Sequence, residues 1–231
     1  MRGHILAGAA LVLGSLGLAP SLPDRAPTLV PFEITSVRLE QNATDEDLEV
    51  VIEATAGEEG LATLAVVAPD GRTIINFTAP PNSTPGIRQF RFESPEPKEG
   101  KGLKAAYPQG DYTFTGATAA GEKLQGVARL GHKLPTTSSL VSPQPNARGV
   151  ALKNLEIKWK PADNVAGYIV EIEQAELNVS IQAKLPGTET RFDVPEGFLR
   201  PGTEYHLGIG TLTKGGNASF VETTFTTEGK E

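Results

Sequence analysis

The sequence predicts an all-β chain: two consecutive antiparallel β-sandwiches behind an N-terminal export signal. Short segments in which apolar and polar residues alternate at period two, the pattern of half-buried strands, recur through most of the chain. The 25 glycines and 18 prolines are spread between these segments as turn punctuation. A sandwich needs about 100 residues, so a signal and two such units fill the 231-residue length.

The signal comes first. Arg2 supplies a positive start, and Ile5 to Ala19 is an uncharged apolar run ended by Pro20, Ser21 and Pro23. The run falls short of the about 20 residues a transmembrane helix needs and has the length of a secretory signal. The small residues of Ala19-Pro20-Ser21 suit cleavage, so residues 1–21 are expected to be removed, leaving no stable membrane span. An uncleaved N-terminal anchor is the alternative. The chain has no cysteine, which excludes disulfides, thiolate nucleophiles, Cys-ligated metals and a lipoprotein anchor. An exported protein is expected: periplasmic, cell-surface or secreted, with a bacterial look.

The first sandwich is expected over 28–133. Leu48, Val50 and Ile52 alternate with Glu49, Val51 and Glu53, and Leu61 to Ala68 reads as a central strand. Pro69-Asp70-Gly71 turns the chain into a partner strand over Arg72 to Thr78. Phe90 and Phe92 share one face of the next strand. A loop rich in Pro, Gly, Lys and Glu follows from Ser94 to Gly110. Tyr112 and Phe114 then point one way, and Leu124 to Leu130 supplies a last strand. About seven strands in a hundred residues make an immunoglobulin-like sandwich.

Residues 134–145 read as a linker, stiffened by Pro143 and Pro145, and the second sandwich is expected over 146–229. Leu155, Ile157 and Trp159 share a face opposite Glu156, Lys158 and Lys160. Tyr168, Val170 and Ile172 do the same against Ile169, Glu171 and Glu173. LRPGTEYHLGI, Leu199 to Ile209, resembles the corner between the fifth and sixth strands of a fibronectin type III domain, and the closing Phe225 to Thr227 is similar to the last strand of one. The resemblance covers about 140–228. It implies that Trp159 is a core tryptophan, Tyr168 the aromatic of the next strand, and Tyr205 a corner tyrosine hydrogen-bonded to backbone a few residues upstream. Residues 28–132 carry only an echo of it, Pro108-x-Gly110-x-Tyr112. The pairing of two such units resembles exported bacterial proteins with an extracytoplasmic interaction or scaffold role.

Charge and motifs narrow the function. The net charge is −7, and residues 28–132, with 9 Lys/Arg against 15 Asp/Glu, carry −6 of it. No basic stripe exists for a phosphate backbone, so nucleic acid is not expected as a partner. His132 and His206 lie in different units, and no Gly-x-Ser-x-Gly, Walker loop or dinucleotide fingerprint occurs. No enzyme and no cofactor are therefore expected. Asp45-x-Asp47-x-Glu49 is a calcium alternative, without the glycine and distal glutamate of an EF-hand loop. Asn42, Asn76, Asn82, Asn178 and Asn217 begin Asn-x-Ser/Thr triplets, which a chain rich in Thr and turn-forming Asn produces by composition.

The expected function is non-catalytic binding or adhesion, or a scaffold, toward a protein or cell-surface polymer outside the cytoplasm. The rivals are a passive spacer or envelope assembly subunit, and an accessory to polysaccharide degradation. Binding residues are expected at sandwich-end loops. Asp163, Asn164, Lys214 and Asn217 form one candidate surface, and Lys98, Lys101 and Lys104 of the long loop form the other.

Overall fold

A computed structural model of the chain describes residues 29–80 and 86–229. The export signal and the Asn82 triplet lie outside the described residues. The chain runs through β1 (Leu29–Pro31), β2 (Ile34–Asn42), β3 (Asp47–Thr55), β4 (Leu61–Val67), β5 (Thr73–Thr78) and β6 (Gln89–Glu93). A short helix, α1 (Leu103–Ala106), precedes β7 (Gly110–Thr118) and β8 (Lys123–Leu130). The second half contributes β9 (Leu140–Ser142), β10 (Ala147–Val150), β11 (Glu156–Trp159) and β12 (Gly167–Gln174). It ends with β13 (Val179–Pro186), β14 (Arg191–Asp193), β15 (Glu204–Leu212) and β16 (Ala218–Thr227).

The fold is all-β, and two sandwiches account for it. In the first unit the sheet β1-β8-β7-β4-β5 faces β2-β3-β6. Between them lies a core that includes Leu39, Val50, Ile52, Leu64, Tyr112 and Phe114, all at most 1% exposed. Period-two alternation places these residues: Leu48, Val50 and Ile52 all point inward from β3. At the turn after β4, Gly71 takes φ +85°, which glycine adopts without steric cost, and its N–H donates to Ala68 O at 2.9 Å. In the second unit β14-β11-β9 faces β13-β12-β15-β16. Trp159, Tyr168, Tyr205 and Phe225 are buried between these sheets, with the Tyr205 and Phe225 rings stacked at 5.5 Å.

Each unit fixes a tyrosine by its hydroxyl. Tyr205 accepts from the Arg200 N–H at 2.9 Å, and Tyr168 accepts from the Ala162 N–H at 2.8 Å. Tyr112 of the first unit donates to Pro108 O at 3.1 Å. The 108–112 echo therefore corresponds to an actual hydroxyl-to-backbone bond four residues upstream.

Two segments differ from expectation. The sequence predicts a linker over 134–145, yet Leu140–Ser142 pairs antiparallel with β11 as an edge strand of the second unit. Val141 is exposed in that strand, so apolar alternation gives it little sign in sequence. The Ser94–Gly110 loop is also pinned. Glu99 N–H donates to Glu46 O at 2.7 Å, Leu103 is buried in the first core, and the intervening Asp47 and Lys98 form a β-bridge.

The two units are not joined by the linker alone. The start of β16 pairs in parallel with the end of β2, Ala218 to Glu40 and Phe220 to Asn42. This short bridge fuses the four-stranded sheet of the second unit and the three-stranded sheet of the first into one eight-stranded sheet, in which β10 also pairs with β16.

Candidate functional site

The seam between the units decides what each candidate residue can do. Asn217 ends the β15–β16 turn and is 4% exposed. Its Oδ1 accepts from Leu39 N–H at 2.9 Å, and its Nδ2 donates to Gly131 O and Lys133 O, each at 2.9 Å. Asn217 thus ties β15–β16 to the first unit's β2 and to the connecting segment. This corrects its reading as an exposed binding residue: all its amide valences are used internally, and the same burial removes it as a glycan acceptor. Asn76 and Asn178 are exposed, and Asn42 is half-buried with its Nδ2 donating to Glu222 Oε2 at 3.0 Å.

The other members of that candidate surface come together. Asp163, Asn164 and Lys214 are exposed and border one cleft of about 420 Å³, whose other wall is Gly131 and Lys133 to Thr136 of the connection. Asn164 takes φ +58°, a turn conformation asparagine tolerates. The cleft therefore joins the end loops of the second unit to the end of the first unit and the connection that follows it.

Lys98, Lys101 and Lys104 are exposed on the pinned 94–106 segment, far in sequence from those loops. Asp45, Asp47 and Glu49 border one cleft but are not arranged as a ligand set. Asp45 sits in the β2–β3 turn, its carboxylate accepting from Asn42 Nδ2 at 3.1 Å, while Asp47 and Glu49 project from β3. Among the described residues no group of three or more His, Asp or Glu side chains is placed to hold a metal ion, which corrects the calcium alternative.

The histidines are equally separated. His132 Nε2 lies 2.8 Å from Tyr107 O, tying down the segment after β8. His206 is exposed on β15 near Glu171, Glu173 and Glu222.

The outer face of the eight-stranded sheet carries a network of paired charges. Arg38 binds Glu40 at 2.7 Å and Glu53 at 2.6 Å; Arg91 binds Glu53 at 2.8 Å and Glu93. Burial pushes the Glu53 carboxyl up, but hydrogen bonds and charge from Arg38 and Arg91 outweigh it and hold the group below its ordinary value. Val51 shares this face and is fully buried. The network forms one wall of a groove of about 660 Å³; Gln182, Lys184 and Lys214 of the second unit form the other, with Ile169, Leu212 and Phe220 between them.

Next to this groove the seam is acidic. Glu49 is pushed up to about 7, first by burial and then by Glu40, Glu93 and Glu96, with Arg91 opposing. Burial also raises Glu222 against the hydrogen bond from Asn42, and Asp45 and Glu171 add to the rise while His206 opposes it.

No family model and no curated protein matches the chain. Among solved structures it is similar to the fibronectin(III)-like modules of Clostridium thermocellum CbhA, at 10% identity over 86% of this chain and 93% of that one, TM-score 0.36. The FN1-FN3 domains of chicken CNTN1 are 14% identical over 88% of this chain and 66% of that one, TM-score 0.34. A two-domain fibronectin type III segment of chicken tenascin is 16% identical over 85% and 99%, TM-score 0.31. The fold assignment rests on the strand order itself. Among the described residues no helix is long and apolar enough to cross a membrane.

Proposed function

We propose that the chain is a non-catalytic binding or scaffold module acting outside the cytoplasm. It would comprise an immunoglobulin-like unit over 28–133 and a fibronectin type III-like unit over 146–229. Its partner would be a protein or cell-surface polymer, met at the cleft where Asp163, Asn164 and Lys214 approach the 131–136 connection. The observation that carries this reading is the cleft itself: exposed polar side chains from three separate segments are held together by a rigid strand framework. Chemistry at a histidine finds no support, since neither ring pairs with a serine or threonine hydroxyl among the described residues.

The test leaves the Asn217 tie intact. Asp163, Asn164 and Lys214 are replaced by serine, and a second variant replaces Lys98, Lys101 and Lys104 by serine, leaving the buried Leu103 in place. Each is used for affinity capture from envelope extract beside the unaltered protein. Loss of a retained partner in the first variant alone supports the cleft; loss only in the second moves the contact to the lysine segment. Full retention by both folded variants ends the claim for either surface.

A passive spacer is the second reading, favoured by the continuous sheet, which fixes the two units relative to each other. A spacer retains nothing saturably, and its role depends on the seam and not on the loops.

A further inference from the structure

Among the strands that end the three sheets, β5 stands apart. Its residues, Thr73-Ile74-Ile75-Asn76-Phe77-Thr78, include no charge and no proline and are mostly β-branched or aromatic. The other sheet ends carry features that discourage strand addition. β13 holds Lys184 and Pro186, and β6 holds Arg91 and Glu93. β1, β9 and β14 are three residues long, and Pro31 closes β1. Among the described residues β4 is the one strand paired with β5.

The ladder with β4 fixes what the free side of β5 offers. Ala79 N–H, just past the strand, donates to Ala62 O of β4 at 2.8 Å. In an antiparallel pair alternate residues bond the neighbour, so Phe77 and Ile75 also turn their backbone groups to β4. The N–H and C=O of Asn76 and Thr78 are therefore turned away from β4, to the open edge. Side chains alternate as well. Ile75 is buried in the first core, Phe77 is half-buried against it and against Phe90, and Asn76 and Thr78 are exposed. A bulge between Ile75 and Thr73 leaves Ile75 to Thr78 regular.

These alternations suit β5 to pair antiparallel with itself. Opposed residues must share a face, and those that exchange bonds must both turn outward. A twofold axis at Asn76 meets both conditions. Asn76 then exchanges both backbone bonds with the partner's Asn76, Ile75 lies opposite the partner's Phe77, and Thr78 lies opposite the partner's Ile74. An axis at Ile75 would set the bulged Ile74 beside the centre in both copies, and one at Phe77 would oppose Ile74 to Pro80, which has no N–H to give. Aromatic and β-branched residues opposed across strands favour pairing. Charge agrees, since the first unit is acidic overall but β5 brings no charge to the contact, and Arg72 before it is paired with Asp70 at 2.7 Å.

We propose that the occupant of this edge is a second copy of the chain: two β5 strands pair antiparallel about Asn76 and join two five-stranded sheets into one. The same strip serves both copies, so the pairing consumes both open edges and closes at two. The contact is separate from the cleft beside Asp163 and stands whether or not that cleft binds a partner.

Sedimentation velocity of the full chain over about a hundredfold range of concentration should show monomer passing into dimer. Asn76→Lys and Asn76→Asp each oppose like charges at the axis, through a side chain exposed in the single copy. Each should stay monomeric with the circular dichroism spectrum of the parent. An equimolar mixture of the two should dimerise again, because opposite charges then meet at the axis. A parent chain that remains monomeric throughout overturns the proposal and leaves the edge to a foreign strand or to none. Association that survives both substitutions overturns it too, as does a series of species larger than the dimer.

Discussion

Asn217 shows how much one side chain can decide when it reaches three backbone partners across a seam. In Asn217→Ala the Leu39 N–H is left buried without an acceptor, and two carbonyls lose a donor. Leaving a buried group unpaired costs about 1–3 kcal/mol, and the loss should appear as a lower urea midpoint. Asn217→Asp is the sharper probe. It keeps an acceptor for Leu39 but sets a carboxylate against Gly131 O and Lys133 O, so it should destabilise at least as much as alanine. The hydroxyls make a milder case. Tyr205→Phe removes the partner of Arg200 N–H and should cost roughly 1–2 kcal/mol, with a similar loss for Tyr168→Phe through Ala162 N–H. An unchanged denaturation midpoint in either would show the bond to be energetically silent.

At the scale of the strand, β15 carries two glycines with opposite tolerances. A Cβ at Gly210 would stand 2.6 Å from the Phe220 ring, whereas one at Gly208 would find its nearest neighbour, Glu171 Cβ, at 3.6 Å. Phe220 lies over Gly210 and reaches Ile169 of β12, which is why an outward-facing isoleucine is only 6% exposed. Gly210→Ala should push Phe220 off this site and cost about 1–3 kcal/mol as an overpacked contact. Gly208→Ala should fall within about 0.5 kcal/mol of the parent. Thermal melts of the pair make the comparison. This contrast marks the limit of what the sequence discloses. Parity along β3, β11 and β12 told which residues face a core, and the turn residues told where strands end. Parity does not say what covers the opposite face, so Ile169 and Val51 read as exposed. Nor does it name the neighbour of an edge strand, because ladder hydrogen bonds use groups that almost every residue carries. The sequence places Asn217 on an exposed binding surface, because a turn asparagine looks the same in sequence whether it faces water or the next unit.

For the whole molecule, the question is whether two cores unfold as one. Trp159 is the only tryptophan and lies in the second core, so its fluorescence reports that unit alone, while far-UV circular dichroism reports both. With the seam intact the two signals should pass through one transition, as a cooperative body requires. In Asn217→Ala they should separate. Separate transitions in the unaltered protein would mean that the eight-stranded sheet couples the units too weakly to matter.

The parallel pairing of β16 with β2 also sets a timetable. A chain made from its N-terminus can assemble the first core, residues 32–130, long before Ala218 to Phe220 exist. Until then the edge of β2 is open along Glu40 to Asn42, a strip of unpaired backbone of the kind that recruits stray strands. The three carboxylates Glu40, Asp45 and Asp47 border that strip. Charge beside the finished joint would thus guard the unfinished one, keeping growing chains from adding to each other's edges before their own last strand arrives to occupy the place.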